Sequence, residues 1–242
     1  MKKFKKMSKK KDTPYYIGLG IVIIIFGYFA VTNVIHYVKK DKVVDSNRSE
    51  HRMPVADKFL KKFNKVPDFK FVNQLGDTIT NDSLLGKVYV IDFFFTTCPT
   101  ICTPMSMNMS KISESLKSQK DFRTVSITID PEHDTPPVLK EYAQKYDANN
   151  NWYFLTGDKE TTYKLSREGF NSYVSESDNE DIRFEHSGNF ALVDSEGYIR
   201  SRKIRIDKDN ENWIYQYNGV QENEIPAQIQ EIIEDAETLL NK

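Results

Sequence analysis

Apolar positions in this chain follow three successive patterns. From Thr13 to Val38 they run on with no Asp, Glu, Lys or Arg among them, through Ile17-Gly-Leu-Gly-Ile-Val-Ile-Ile-Ile-Phe-Gly-Tyr-Phe. That length suits a bilayer-crossing helix of about 20 residues. A signal peptide's apolar core spans roughly 7–15 and ends at a small-residue cleavage site, for which this sequence is poor. Residues 14–38 are therefore expected to form an uncleaved, single-pass transmembrane helix. Polar and charged residues take over from Lys39, with Asp45-Ser-Asn-Arg-Ser-Glu-His-Arg, and only a short patch at Phe59, Leu60 and Phe63 relieves them. Residues 39–65 read as a tether with one or two helical turns at most.

In residues 66–242 strand-like runs alternate with helical spacing. Phe69–Val72 and Thr78–Thr80 flank Gly76-Asp77, a hairpin-turn signal. Val88–Phe95 is apolar at nearly every position, as a central parallel strand covered on both faces should be. Helical spacing runs from Cys102 to about Leu116, then a strand over Phe122–Ile129. Thr135 ahead of Pro136 marks the start of a helix carrying Leu139, Tyr142, Ala143 and Tyr146. Trp152–Leu155 reads as a strand, Asp158–Glu168 as a helix, Phe170–Val174 as a short strand and Ser175–Glu185 as an acidic loop. Asn189–Asp194, the turn Ser195-Glu-Gly and Tyr198–Arg200 predict a hairpin. Ile225, Ile229, Ile232, Ile233, Ala236, Leu239 and Leu240 predict an amphipathic closing helix. A strand, a Cys-bearing helix, a crossover strand, a hairpin and a terminal helix is the order of a thioredoxin-like α/β fold. A segment of this length suits one domain with one core.

Charge adds an orientation. Lys2, Lys3, Lys5, Lys6, Lys9, Lys10 and Lys11 precede the apolar span, so residues 1–13 form a basic tail that the positive-inside rule keeps in the cytoplasm. The rest then lies on the external, periplasmic side of a bacterial inner membrane, with Lys39, Lys40 and Lys42 weakly opposed. Ten Lys before residue 44 also mask the charge of the remaining chain, which carries 24 basic against 33 acidic residues. Such a domain does not attract nucleic acid; proteins or small cations are its expected partners.

Cys98 and Cys102 are the only cysteines in the chain and stand where the apolar run gives way to helical spacing. Four residues of helix turn through about 400°, so both sulfurs should leave one face of the first turn, where unpaired N–H groups favour thiolate. A structural disulfide here would close too small a loop to remove much unfolded-state entropy. Two uses remain: holding a soft metal ion, or cycling through a disulfide.

Three segments taken together narrow the choice. They are Phe95-Thr-Thr-Cys-Pro-Thr-Ile-Cys, Ser126-Ile-Thr-Ile-Asp-Pro-Glu-His-Asp-Thr-Pro, and Glu185-His-Ser ahead of the Phe190 strand. With the anchor they resemble the Sco/SenC family, membrane-anchored thioredoxin-fold proteins that bind copper and help assemble the CuA centre of cytochrome c oxidase. The resemblance implies that Cys98, Cys102 and His186 ligate Cu(I) or Cu(II). It also implies subunit II of the oxidase as partner, with a copper-donor protein as a further candidate. The chain departs from the family pattern at Thr100, at Thr103 between Cys102 and Pro104, at His133 for Arg, and at Glu185 for Asp.

The same donors suit copper chemically, since two thiolates and an imidazole form a soft site, and zinc would want a fourth protein ligand. Metal delivery without turnover is the leading expectation. A thiol-disulfide oxidoreductase that reduces a partner's copper-ligand cysteines, or a copper or redox sensor, are the alternatives. Asp92 favours the oxidoreductase: it interrupts an apolar strand six residues before Cys98, where thioredoxins carry a buried Asp, although a structural hydrogen bond would also explain it. His133 is expected to face solvent at a helix start. Met105 and Met109 are expected to pack in the core rather than bind copper.

Overall fold

Val88–Phe94 is buried at all seven positions, because both of its faces are covered. Phe94 packs on Tyr142 at 5.2 Å between ring centroids, and Phe93 meets Phe170 at 5.7 Å. Alternation along the strand then puts Asp92 on the Phe94 side. The computed structural model describes Gly27, which is helical, and residues 60–179, 182–205, 211–221 and 227–241. The basic tail, the remainder of the expected anchor and the tether as far as residue 59 lie outside the described residues. Among the described residues no helix is long and apolar enough to cross a membrane.

In chain order the strands and helices are β1 (Lys61–Lys65), β2 (Lys70–Asn73), β3 (Thr78–Thr80), β4 (Val88–Phe94), α1 (Cys102–Ser115), β5 (Phe122–Thr128), α2 (Pro136–Lys145) and β6 (Trp152–Thr156). Next come α3 (Lys159–Lys164), β7 (Val174–Asn179), β8 (Ile182–His186), β9 (Asn189–Val193), β10 (Tyr198–Ser201), β11 (Lys203–Arg205), β12 (Glu211–Trp213), β13 (Tyr217–Asn218) and α4 (Ile229–Leu240). The main sheet runs β1-β10-β9-β4-β5-β6-β2-β3, with β13 also paired to β9. β4, β5 and β6 are parallel and β9 is antiparallel to β4. This is the thioredoxin-like α/β architecture expected from the sequence.

Four elements differ from expectation. Lys61–Lys65, placed in the tether, is an edge strand antiparallel to β10, and Leu60 before it is 2% exposed. The strand's one apolar residue, Phe63, is half-buried against the Tyr215 ring at 5.0 Å between centroids, and Arg200 donates to the Leu60 carbonyl at 2.6 Å. The helix from Asp158 has a capped α-helical start, with Asp158 accepting from the Thr161 N–H, but continues as a π-helical turn over Leu165–Gly169. The short strand foreseen at Phe170–Val174 is absent, and the acidic loop is a hairpin instead: β7 and β8 pair Val174 with His186 and Glu176 with Phe184. Acidic composition hid its period-two pattern. The terminal helix is present from Ile229, and Ile225 lies outside the described residues. Thr135 does precede α2, with Pro136 at its first turn, but its side chain makes no capping hydrogen bond.

Candidate metal centre

β4 delivers the chain to the site and α1 carries it away. Cys102 is the first residue of α1, whereas Cys98 stands in the preceding loop, its N–H bonded to the Phe95 carbonyl at 3.3 Å. The two cysteines therefore do not share a helical turn, contrary to what their spacing suggests. The loop brings them together by bending. Cys102 is buried and Cys98 half-buried, and neither is in a disulfide.

His186 arrives from the far end of the sequence, at the end of β8. Its Nε2 lies 2.9 Å from Cys102 Sγ, and the two sulfurs and the imidazole form a group whose ligand atoms all lie within 4.8 Å of one another. Nδ1 faces the Ser187 carbonyl at 3.1 Å. A carbonyl can only accept, so the proton sits on Nδ1 and Nε2 keeps a lone pair directed at the sulfurs. The Phe95 ring fixes the imidazole edge-on at 5.8 Å. Among the described residues no further His, Cys, Asp or Glu joins the group.

The two thiols are driven apart in acidity. Cys98 falls to about 3, chiefly because the Cys102 side chain hydrogen-bonds it, with the Thr100 and Cys102 N–H groups adding to the effect. Cys102 moves the other way, because burial opposes its thiolate and the negative Cys98 sulfur beside it adds to that. Thr100 Oγ1 lies 3.6 Å from Cys98 Sγ. The site thus offers one standing thiolate, one buried thiol and one imidazole lone pair, a soft donor set without a hard oxygen ligand.

A family model described as SCO1/SenC matches residues 58–217. The chain belongs to the SCO1/SenC family. It is 36% identical over 138 residues to the SCO1 protein homolog of Bacillus subtilis strain 168, across 56% of this chain and 71% of that one. Its fold is similar to that of BsSco, a member of the Sco family of cytochrome c oxidase assembly proteins in which a disulfide switch has been identified. The TM-score is 0.61 and the identity 30%, over 76% of this chain and 99% of that one. Bradyrhizobium japonicum ScoI, solved with copper bound, shares the fold at TM-score 0.55 and 21% identity, over 73% of this chain and 99% of that one.

Sequence reasoning missed the residue that braces this Sco site from below. Asp134 is fully buried and accepts from the Thr96 N–H at 3.0 Å, from the Thr96 and Thr128 hydroxyls, and lies 2.8 Å from His133 Nδ1. It ties the loop that carries Cys98 to the end of β5. A buried carboxylate so surrounded is a brace, and only its place in the Asp130-to-Pro136 segment could have signalled it. His133 is exposed at its side chain, as foreseen. Met105 and Met109 are fully buried in the core while Met107 is 53% exposed.

Asp92 sits opposite Ser126 in the parallel register and is 2% exposed. Ser126 Oγ accepts from the Trp152 indole N–H at 2.9 Å, which leaves its own proton for Asp92. Burial raises the carboxyl to about 7, against the smaller opposing effects of Ser126 and His186. Its Oδ1 has no hydrogen-bond partner among the described residues. An oxygen left so is costly.

Proposed function

We propose that this Sco protein is a membrane-anchored copper carrier that serves assembly of the CuA centre of cytochrome c oxidase, holding one copper through Cys98, Cys102 and His186. The convergence of two sulfurs and one imidazole within 4.8 Å carries the reading, and the copper-bound fold relative supports it. Copper here is cargo. The Cys98 thiolate supplies a charged sulfur at neutral pH, Cys102 gives up its proton when metal replaces it, and His186 contributes Nε2. Joining the sulfurs as a disulfide, with loss of two electrons and the one proton left on Cys102, removes both thiolate donors, so reduction is a condition of loading. Titration of the reduced protein should therefore reach one copper per chain, and the oxidised protein should bind none tightly. Equal uptake by both forms would sink the assignment.

Anchoring is proposed for residues 14–38, with the domain outside and subunit II of the oxidase as its partner. Protease added to intact spheroplasts is expected to remove the C-terminal domain. Survival of the domain until the membrane is lysed would reverse the orientation.

A second reading, thiol-disulfide exchange on the partner's cysteines, is favoured by the unpartnered Asp92 oxygen and the lowered pKa of Cys98. On this reading Asp92 moves protons for the buried thiol, and Asp92→Asn slows reduction of a disulfide peptide by an order of magnitude or more while copper affinity is kept. An unchanged rate removes the reading. The same variant reports the burial of Asp92 independently. A raised carboxyl favours the protonated folded form, so its stability is intact in acid and is lost as pH climbs from the ordinary carboxylate range through about 7. Asp92→Asn should accordingly gain on the wild type between pH 4 and 8, by ~4 kcal/mol at most.

A further inference from the structure

His186 is fixed to the helix that carries Cys102 by a path that does not pass through the metal donors. Two residues after His186, the Gly188 carbonyl accepts from the Gly219 N–H at 2.7 Å. The Gly219 carbonyl in turn accepts from Asn108 Nδ2 of α1 at 2.8 Å. Lys111 donates to Asn108 Oδ1 at 3.0 Å, which orients the amide with its nitrogen toward Gly219. The Gly188–Gly219 rung continues the ladder in which β13 pairs Tyr217 with Phe190 and Asn218 with Asn189. Gly219 stands there because nothing larger fits. A Cβ on Gly219 would stand 2.8 Å from the Gly188 oxygen and 2.7 Å from the Phe190 ring.

We propose that the Asn108–Gly219–Gly188 staple is a positioning device that holds His186 in register with the Cys pair, and that it thereby sets the preference of the site for Cu(II). This rests on the copper reading above. Two thiolates can hold Cu(I) in a linear arrangement, whereas Cu(II) takes a tetragonal set and needs the imidazole. Ser187 is separately tied to the far side of the site, its N–H to the Tyr173 carbonyl at 3.0 Å and its hydroxyl to Ser172 Oγ at 2.6 Å. Those bonds do not reach α1. Loosening the staple would leave the His186 loop folded but free to shift against Cys102.

Asn108→Asp keeps side-chain size at a half-buried position and removes the donor to Gly219. In the full-length reduced protein, with folding checked by circular dichroism, it should weaken Cu(II) binding about tenfold or more, on the scale of losing an outer hydrogen bond to a ligand. It should also alter the sulfur-to-Cu(II) charge-transfer band and leave affinity against a Cu(I)-selective chelator within about threefold. Gly219→Ala should shift the same two Cu(II) readouts further. His186→Ala, measured in parallel, separates two failures. If His186→Ala leaves Cu(II) binding unchanged, the ligand assignment falls. If His186→Ala loses Cu(II) while folded Asn108→Asp matches the wild type, or loses both oxidation states by one factor, the staple proposal falls.

Discussion

Serine in place of Cys98 or of Cys102 is expected to abolish tight copper binding by the reduced protein. A single thiolate with an imidazole cannot enclose a soft ion, and loss of a donor sulfur should exceed the ~10–100-fold effect typical of losing an outer partner of a ligand. His186→Ala should be milder and selective, weakening Cu(II) more than Cu(I). The measurement is competition against chelators of graded affinity, with both oxidation states titrated on each variant. Retention of wild-type affinity by either serine variant would remove that sulfur from the site.

The second large effect concerns the fold rather than the metal. Arg202, just past β10, grips Asp235 of α4 with two hydrogen bonds, Nε to Oδ2 at 2.7 Å and Nη2 to Oδ1 at 2.8 Å. The Tyr217 hydroxyl donates to the same carboxylate at 2.7 Å, and Arg202 Nη2 also reaches the Glu231 carbonyl at 2.9 Å. The arrangement docks α4 on the sheet through groups that are nearly all buried. Asp235→Ala removes the acceptor shared by a buried phenol and a guanidinium, which keeps only the Glu231 carbonyl and the longer contact to Glu234 at 3.5 Å, at a cost of about 3 kcal/mol. Urea unfolding monitored on the reduced protein should show the corresponding fall in midpoint. Replacing Arg202 and Asp235 together by apolar residues of similar volume should recover most of the loss, and a double variant as weak as the single one would contradict this role for the pair.

Much of the site was legible because its chemistry is rare. Two cysteines in the whole chain, at the end of an unbroken apolar strand, have few bland explanations, and β4, β5, β6 and α2 followed from period and turn signals alone. His186 is different. Nothing local marks it, and its place in the site depends on β7 and β8, whose acidic residues read as loop. The braces were less legible still. Asp134 binds Thr96 across 38 residues, Asn108 reaches Gly219 across 111, and Asp235 meets Arg202 across 33. Periodicity speaks of which face a residue occupies. It is silent on which distant carbonyl or carboxylate that face will meet, because such pairings are set by the sheet order. The edge strand β1 was missed for a related reason: a strand of mostly charged residues forms only because β10 supplies its hydrogen bonds.

The unequal exposure of the two sulfurs gives the site a sequence of events. An incoming thiol or metal from another protein can touch Cys98, while Cys102 is 1% exposed at the start of α1. Any mixed disulfide with a partner must therefore form on Cys98, leaving Cys102 as the internal thiol that resolves it. On the copper-carrier reading proposed above, the acceptor's first ligand would likewise meet the ion on the Cys98 side, and the bond to the buried Cys102 sulfur would be the last to part.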